Sequence, residues 1–293
     1  AGRQRLREKE SHTSPRPGAG VAFLLPQPLA AGEKLEGFLC WADKSSPQAP
    51  ASPASDLSVK PDSRGLGIEN SRLRLLIGGE GAHVYKWLVK ALGNIDVTDP
   101  GLDDWHGFLD VNTFRRTRFD LKVLASGPVM AFLQASEPGG FEKCVVVYSS
   151  LPIVELYTIE PVTWLWNYDN PRNFAADAPQ PGRGRLADGT EKPVPASSER
   201  VHIEPKKPVR WCAKWRPDGL TLGLITPATD TNMRIGPGDG WGGVGVERSA
   251  PADWFVVYCD KTPQVWRAVA GLAAALRPDG APKVTVGDLG GGE

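Results

Sequence analysis

The stretch RLRLLIGGEGAHVYKWLVK, residues 72–90, decides the fold class of this chain. Two apolar runs, residues 73–77 and 82–90, flank a glycine-rich break at residues 78–81. Glycine supplies the positive φ angles that a tight chain reversal needs. We therefore expect the two runs to be the strands of a β-hairpin.

Similar runs recur along the rest of the chain, and turns that contain glycine, proline or serine separate several of them. They are rich in β-branched and aromatic residues and lie at residues 120–125, 129–136, 143–149, 153–159, 209–215, 220–226, 244–247 and 254–258. This spacing is typical of antiparallel hairpins in a sandwich. One helix is predicted after Thr262, which can act as its N-cap, because Val265 and Val269 begin an apolar stripe. The predicted fold is all-β, an antiparallel β-sandwich with one C-terminal helix.

Composition divides the chain into three parts. Residues 1–64 are rich in serine, proline and polar residues, which predicts a partly irregular N-terminal extension and linker. The folded domain is expected at residues 65–280, and a glycine-rich tail at residues 281–293. Within the domain, residues 169–208 hold many prolines and almost no apolar run, which predicts a long loop.

The composition also argues against several partners. Basic and acidic residues each number 34, so the formal net charge is zero. This balance gives no sign of the positive charge that nucleic-acid-binding proteins carry. No apolar run approaches the roughly 20 residues that a membrane-spanning helix needs. The four cysteines form no CxxC pair, which argues against zinc and favours buried free thiols, with one long-range disulfide as the alternative.

An aspartate-rich segment follows the hairpin and ends on the run Asp104-Trp105-His106-Gly107-Phe108. An imidazole titrates near neutral pH and can exchange a proton with a sugar hydroxyl or a C5 proton. His106 is therefore a candidate catalytic residue, and Trp105 beside it a candidate substrate-binding residue. The alternative is that His106 is a structural hydrogen-bonding residue of the loop.

Four aspartates in this region are candidate ligands for calcium, which takes six to eight oxygen atoms from flexible acidic loops. They are Asp96, Asp99, Asp103 and Asp104. Their spacing matches no EF-hand. The alternative is a solvated loop in which aspartates act as turn formers.

Ten tryptophans predict an aromatic-lined protein. On a strand, Trp164 and Trp166 would share one face, as would Trp211 and Trp215. Stacked sugar rings favour exposed indoles, but tryptophan pairs at this spacing more often build a core.

Several motifs occur in the order found in one known superfamily. They are Ile68-Glu69-Asn70 with Gly81-Ala82, Ser126-Gly127-Pro128-Val129, Leu151-Pro152-Ile153-Val154-Glu155, the KWRPDGL run at 214–220, and Gly245-Val246-Glu247. In this order they resemble the galactose-mutarotase-like superfamily over residues 65–276. The resemblance implies a super-β-sandwich with a carbohydrate cleft on its concave sheet. The superfamily contains epimerases, lyases, hydrolase domains and noncatalytic binding modules, so the fold alone does not decide the function.

The resemblance also implies candidate catalytic residues. In aldose epimerases of the superfamily an early histidine, a mid-chain histidine and a late glutamate act on the anomeric hydroxyl and the ring oxygen. Here His106 and Glu247 fall in comparable chain order. The mid-chain place holds Asn167 and Tyr168 and no histidine, which argues against a simple mutarotase. Tyr168 is therefore a further catalytic candidate, and Asn167 a candidate substrate-binding residue.

Basic side chains predict an anionic sugar as one possible ligand. On a strand, Arg116 and Arg118 would share one face, and guanidinium groups bind carboxylates such as a uronate in a bidentate manner. Arg183 and Arg185 lie in the predicted long loop, which we expect to fold back over the concave sheet towards His106. His202 is expected to face the cleft from the other side. Solvated surface arginines are the simpler alternative.

Together these features predict a secreted or periplasmic carbohydrate-active protein that binds or acts on a poly- or oligosaccharide. The first interpretation is lyase-type cleavage, in which Arg116 or Arg118 neutralises a uronate and His106 or Tyr168 removes the C5 proton. One alternative is a noncatalytic carbohydrate-binding or accessory domain of a larger enzyme. Another is a sugar epimerase with Glu247 as base. The sequence leaves open whether the protein is an enzyme.

Overall fold

The computed structural model describes residues 55–99, 107–111, 117–199, 201–226, 231–236 and 242–276, with only the backbone described for residues 248–251. In this part of the chain antiparallel strands form two sheets, and the C-terminal helix packs on the larger one. The predicted fold class, an all-β antiparallel sandwich with one C-terminal helix, is confirmed.

The smaller sheet is built around the predicted hairpin. Its five strands pair in chain order and are β1 (Ser58–Asp62), β2 (Gly65–Glu69), β3 (Leu73–Gly78), β4 (Val84–Val89) and β5 (Ile95–Asp96). β3 and β4 correspond to the two predicted runs, and they pair antiparallel with Leu75 opposite Trp87. β1 falls at the end of the predicted linker and pairs with β2, so this sheet begins before the expected boundary at residue 65.

The larger sheet contains the remaining ten strands of the described residues. They are β6 (Asp120–Ser126), β7 (Met130–Ser136), β8 (Glu142–Tyr148), β9 (Ile153–Asn167), β10 (Arg183–Leu186), β11 (Glu191–Pro193), β12 (Trp211–Trp215), β13 (Leu220–Ile225), β14 (Met233–Gly236) and β15 (Gly243–Lys261). Nine of them follow the order β11-β10-β12-β13-β15-β9-β8-β7-β6, and β14 pairs with β15 off this path.

β9 and β15 form a long antiparallel ribbon in this sheet. They hold 15 and 19 residues, and their pairing ends with Val244 opposite Asn167. The register shifts partway along, as at a β-bulge. Before the shift β15 also pairs with β14, and after it with β13. We call the end of the ribbon at residues 162–167 and 243–247 the ribbon tip. It pairs with β14, whereas the other half of β15 pairs with β13.

The main core lies between the two sheets. One cluster of buried apolar side chains contains Leu75 and Trp87 of the smaller sheet together with Val145, Leu165 and Phe255 of the larger. Side chains alternate between the two faces of a strand, so this cluster marks the inner face of each sheet. The other face of the larger sheet packs against the helix.

The C-terminal helix, α2 (Trp266–Ala275), packs on the outer face of the larger sheet over β12 and β13. Its buried residues are Val269 and Ala273. A Cβ atom at Gly223 of β13 would lie 2.5 Å from Cγ2 of Val269. A glycine in β13 thus allows the close approach of the helix.

The helix begins later than the sequence predicts. The Oγ1 atom of Thr262 accepts a hydrogen bond from the N–H of Gln264 at 3.2 Å, which closes a turn before the helix. Val265 has a φ angle of 46° and makes no side-chain cap bond, and the first helical residue is Trp266. The predicted N-cap role of Thr262 is therefore wrong.

The predicted long loop at residues 169–208 contains regular structure. It includes α1 (Pro171–Phe174) as well as β10 and β11, and β10 joins the larger sheet by pairing with β12. The prediction of a loop over this whole segment is wrong. Strands of four and three residues are too short to show a clear alternation of apolar and polar residues in the sequence.

Two predictions from composition can be checked in the described residues. The cysteines there, Cys144, Cys212 and Cys259, are free and buried, as predicted, while Cys40 lies outside the described residues. The helices of the described residues include none that is long and apolar enough to cross a membrane.

A buried ion pair connects the residues after β9 to β12. The Nζ atom of Lys214 lies 2.5 Å from Oδ1 of Asp169, and both side chains are 0% exposed. Burial lowers the pKa of Lys214 and raises the pKa of Asp169 to about 6, although each charge attracts the other. The desolvation of the two charges therefore outweighs their mutual attraction. Removing either partner would leave the other charge buried and uncompensated.

We expect Lys214→Met to destabilise the fold by about 3–5 kcal/mol at neutral pH, because the carboxylate of Asp169 is left buried without its partner. The pKa of Asp169 should then rise further, so that the folded state binds the proton more tightly than the unfolded state. The stability of this variant should fall as the pH rises from about 4 through 6 and beyond. Urea denaturation at several pH values measures this effect.

The matched control is Arg183→Gln, because Arg183 pairs with Glu191 at 3.0 Å while 52% of its side chain is exposed. An exposed pair contributes about 0–1 kcal/mol, so this variant should unfold close to wild type. The double variant Lys214→Met, Asp169→Asn should be more stable than Lys214→Met and lose its pH dependence. An equally steep pH dependence in the double variant would contradict the role given to Asp169.

Candidate functional site

The ribbon tip turns one face to the core. Val244 and Val246 of β15, Leu165 of β9, and Met233 and Ile235 of β14 are all buried in the core cluster. They lie side by side, since Val246 pairs with both Leu165 and Met233. The residues between them in these three strands therefore lie on the opposite face.

We call that opposite face the tryptophan face, defined by Trp164, Trp166, Tyr168, His202, Arg234 and Glu247. Trp164 is the cross-strand partner of Glu247, and Gly245 pairs with both Trp166 and Arg234. His202 joins them because the next residue, Ile203, bridges to Ile235 and is buried. The structure thus brings together three residues predicted from the sequence, Tyr168, His202 and Glu247.

Trp166 forms the floor of this face. Its Nε1 atom donates a hydrogen bond to the carbonyl oxygen of Gly242 at 3.0 Å. A Cβ atom at Gly245 would lie 1.7 Å from Cε3 of the indole, so only glycine permits this position of the ring. The ring of His202 meets the indole edge-on, with 5.7 Å between the centroids. Because Trp166 is only 3% exposed, it positions its neighbours rather than offering a surface itself.

Arg234 supplies the positive charge of the tryptophan face. Its Nη1 atom lies 2.7 Å from Oε2 of Glu247, and its Nη2 atom lies 3.3 Å from Oε1 of Glu204. The guanidinium group thereby orients Glu247 beside Trp164. The side chain of Glu204 is 55% exposed, so the network reaches water at its outer end. The half-buried carboxylate of Glu247 can accept a hydrogen bond or a proton from a ligand.

Tyr168 links this face to residues 107–111. Its ring lies 6.5 Å from that of Trp164 and 6.3 Å from that of Trp166, and its N–H donates to the carbonyl oxygen of Gly107 at 3.2 Å. Burial raises the pKa of Tyr168, and the charge of Asp110 acts in the same direction. The phenol therefore stays protonated at neutral pH. Because Tyr168 is only 1% exposed, it positions the neighbouring indoles and does not suit the predicted role of a base.

Asn167 has a structural role. Its side chain is fully buried, with Oδ1 accepting from the N–H of Leu109 at 2.9 Å and Nδ2 donating to the carbonyl oxygen of Val244 at 3.2 Å. Both ends of the amide are thus bonded to backbone. The predicted substrate-binding role of Asn167 is wrong, because burial on the core face keeps it from a ligand on the tryptophan face.

A buried lysine anchors residues 107–111 against the larger sheet. The Nζ atom of Lys143 donates to the carbonyl oxygen of Leu109 at 3.1 Å, and Asp110 exchanges two backbone hydrogen bonds with Trp166. Burial lowers the pKa of Lys143 to about 8, while Asp110 acts in the opposite direction. This segment thus joins the ribbon tip to the smaller sheet, where Phe108 bridges to β4.

Arg183 and Arg185 lie on the helix side of the larger sheet. Gly184 between them faces the core, because a Cβ atom there would lie 2.7 Å from Cδ1 of Ile203. Arg185 stacks over Trp266 at 4.2 Å from the ring centroid. Ile203 belongs to the layer that carries the tryptophan face on its other side. The expectation that this segment brings Arg183 or Arg185 together with Tyr168 is therefore wrong, since the alternation in β10 points both side chains away from the tryptophan face.

The remaining predicted site residues lie elsewhere or outside the described residues. Arg118 is exposed beside the glycine-rich turn of the smaller sheet, where its backbone bridges to Glu80. Outside the described residues are Trp105, His106, Asp103, Asp104 and Arg116. The roles predicted for these five residues stay predictions.

The two described candidate calcium ligands form no metal site with other described residues. Oδ1 of Asp96 accepts hydrogen bonds from Oγ1 of Thr98 at 2.7 Å and from the N–H of Thr98 at 3.1 Å, as in a turn. Asp99 follows and donates its N–H to the carbonyl oxygen of Tyr168 at 3.3 Å. No group of three or more His, Cys, Asp or Glu suited to a metal ion occurs among the described residues. For Asp96 the turn-forming alternative is supported.

Sequence reasoning missed Arg234 and Glu204. A usable signal was present in the alternation Met233-Arg234-Ile235, which places a single charged side chain between two apolar ones on a strand. That pattern shows only that Arg234 points away from the core. Its ion pair with Glu247 depends on the pairing of β14 with β15, which no local pattern specifies.

Comparison with solved structures finds matches at low identity. A protein named HI1317 matches with a TM-score of 0.44 and 12% identity, covering 73% of this chain and 97% of that one. A protein described as a putative mutarotase, YeaD from Salmonella typhimurium, has a TM-score of 0.42 and 13% identity, covering 70% and 97%. A family 81 glycoside hydrolase from Clostridium thermocellum has a TM-score of 0.36 and 11% identity, covering 74% of this chain and 23% of that one.

No protein-family model and no curated protein matches the chain. Because the TM-scores and identities are low, we take neither substrate nor activity from these matches. The function must be argued from the residues of the tryptophan face.

We expect Gly245→Ala to displace the indole of Trp166, because the added methyl group would lie 1.7 Å from its Cε3 atom. The displacement should break the hydrogen bond to Gly242 and destabilise the fold by about 1–3 kcal/mol, the usual range for overpacked sites. A shifted indole N–H resonance of Trp166 and a lower Tm measure the two effects.

The matched control for that variant is Gly271→Ala in α2, where a Cβ atom would meet nothing within 4 Å. Alanine is the better helix former, so this control should unfold at the same temperature as wild type or slightly above it. A Gly245→Ala protein with an unshifted Trp166 resonance would show that the ring does not pack on Gly245 as described.

Proposed function

We propose that the protein binds a carbohydrate on the tryptophan face. The observation that carries this proposal is the placement, on one face of three paired strands, of the half-buried indole of Trp164, the imidazole of His202 and the Arg234–Glu247 pair. A sugar has apolar C–H faces that pack on an indole and hydroxyl groups that bond to charged side chains. Convergent polar groups beside an aromatic wall are typical of small-ligand sites.

The surroundings of the face support the same proposal. Tyr168 is buried next to both indoles and fixes their position. Gly107, the chain neighbour of His106, accepts the backbone hydrogen bond of Tyr168. The resemblance of the sequence to the galactose-mutarotase-like superfamily implies a carbohydrate ligand as well.

A specific observation favours proton transfer on the bound sugar as a second function. Glu247 and His202 lie on the same face, which suits the epimerase alternative. In that reaction the carboxylate of Glu247 takes the proton of the anomeric hydroxyl, and protonated His202 gives a proton to the ring oxygen as the bond from C1 to that oxygen breaks. The aldehyde then closes on its other side, and both protons return.

Lyase-type cleavage of an anionic polysaccharide has less support from the described residues. It relies on Arg116 or Arg118 to neutralise the carboxylate and on His106 or Tyr168 as the base. Arg116 and His106 lie outside the described residues, Arg118 is exposed beside Glu80 of the smaller sheet, and Tyr168 is buried. Arg234 is the guanidinium group of the tryptophan face, and two carboxylates already pair with it. We therefore rank proton transfer at the anomeric centre above elimination.

The binding proposal is tested by a glycan array followed by titration calorimetry with the strongest sugar. We expect Trp164→Ala to weaken binding about tenfold, equal to about 1.4 kcal/mol, because it removes the half-buried indole. The control is Trp254→Ala, since Trp254 stacks on Tyr157 at 5.9 Å in the other half of the ribbon. Equal losses in both variants, or no bound glycan, would argue against a site on the tryptophan face.

The proton-transfer proposal is tested by following sugar anomerisation with polarimetry. We expect Glu247→Gln to slow the reaction by about a hundredfold or more, the usual contribution of a positioned acid or base. Glu191→Gln is the control, because Glu191 pairs with arginines on the helix side of the sheet. Unsaturated products absorbing at about 235 nm would favour the lyase reaction instead. If the protein binds glycan but catalyses neither reaction, the alternative of a noncatalytic binding domain is supported.

A further inference from the structure

A cleft lies on the outer face of the larger sheet, beside α2. It has a volume of about 300 Å³. One wall is the alanine-rich side of the helix, with Ala270, Ala273 and Ala274, and the facing wall is Trp211 with residues 207–210. The short alanine side chains leave the space between helix and strand open.

The aromatic wall of this cleft is held in place from several sides. The ring of Trp211 stacks on that of Trp266 with 6.1 Å between the centroids and 4° between the planes. Its carbonyl oxygen accepts a hydrogen bond from the N–H of Ala187 at 3.2 Å. A wall of this kind keeps its shape without a ligand, which lowers the entropy lost on binding.

The charged side chains of the cleft differ in the hydrogen bonds that they make. Both carboxylate oxygens of Asp188 accept backbone hydrogen bonds, from Thr190 at 2.9 Å and from Lys206 at 2.7 Å. In contrast, the Nε atom of Arg210 is buried and has no hydrogen-bond partner among the described residues. Lys207 lines the cleft next to it and is exposed. The lining thus holds two cations and one carboxylate, and each oxygen of that carboxylate already accepts a backbone hydrogen bond.

We propose that this cleft is a binding site for a small organic anion with a flat apolar body. The carboxylate or phosphate group would accept hydrogen bonds from the guanidinium group of Arg210 and the ammonium group of Lys207. The apolar body would lie between Trp211 and the alanines of α2. A volume of about 300 Å³ falls at the lower end of the range for ligand pockets, so the ligand is small.

This site is separate from the tryptophan face. The cleft lies on the helix side of β12, whereas the tryptophan face is the outward side of the layer formed by β14 and the ribbon tip. The two share no residue. The proposal does not depend on carbohydrate binding, and each can fail without the other.

The test uses the full chain with fluorine NMR and two isosteric probes, para-fluorobenzoate and the neutral para-fluorobenzamide. We expect the benzoate to bind with at least tenfold higher affinity than the amide, because only the benzoate carries the negative charge. Arg210→Gln should weaken benzoate binding at least tenfold. Ala274→Leu should block it with all charges retained, since Ala274 lines the cleft and is exposed.

The control is Lys122→Gln, which removes an exposed lysine from β6 and should leave benzoate binding unchanged. Ala274→Leu keeps the test decisive if Arg210→Gln fails to fold, because position 274 is on the solvent side of the helix. The proposal is overturned if the benzoate does not bind at millimolar concentration, if the amide binds equally well, or if folded Arg210→Gln and Ala274→Leu both bind as wild type does.

Discussion

The pairing of β9 with β15 is the constraint on which the rest of the structure depends. β15 bonds to β9 along most of its length, yet it pairs with β14 before the register shift and with β13 after it. One half of the ribbon therefore belongs to the body of the sheet that supports α2. The other half aligns Trp164 with Glu247 and places Gly245 between Trp166 and Arg234. Without this pairing the residues of the tryptophan face would not be neighbours.

Close approach at glycine shapes both surfaces of the larger sheet that carry the proposed sites. Gly245 makes room for the indole of Trp166, and Gly223 makes room for Val269 of the helix. In each case an added Cβ atom would lie closer to that group than atoms can approach, at 1.7 Å for Gly245 and 2.5 Å for Gly223. The tryptophan face and the anion cleft beside α2 thus depend on the same physical device, used on different strands.

Buried polar groups hold the backbone behind the tryptophan face. Lys143 donates to the carbonyl oxygen of Leu109 and Asn167 accepts from its N–H, while Lys214 and Asp169 pair with each other next to Tyr168. Burial disfavours the charged forms of Lys143, Lys214 and Asp169, as the directions of their pKa shifts show. We interpret these groups as setting the geometry of the segment beside the site at some expense in stability.

The sequence by itself determined the hairpin of β3 and β4, the succession of antiparallel strands and the sandwich class, because alternation and turn residues are local signals. It also singled out Tyr168, His202 and Glu247, which the fold brings to one face. The tertiary structure alone decided that Asn167 is buried, that Arg183 and Arg185 face α2, and that Arg234 pairs with Glu247. Which way a short strand faces, and which side chain lies opposite another, depends on register with partners far along the chain. That register is set by packing of the whole core, and no local pattern contains it.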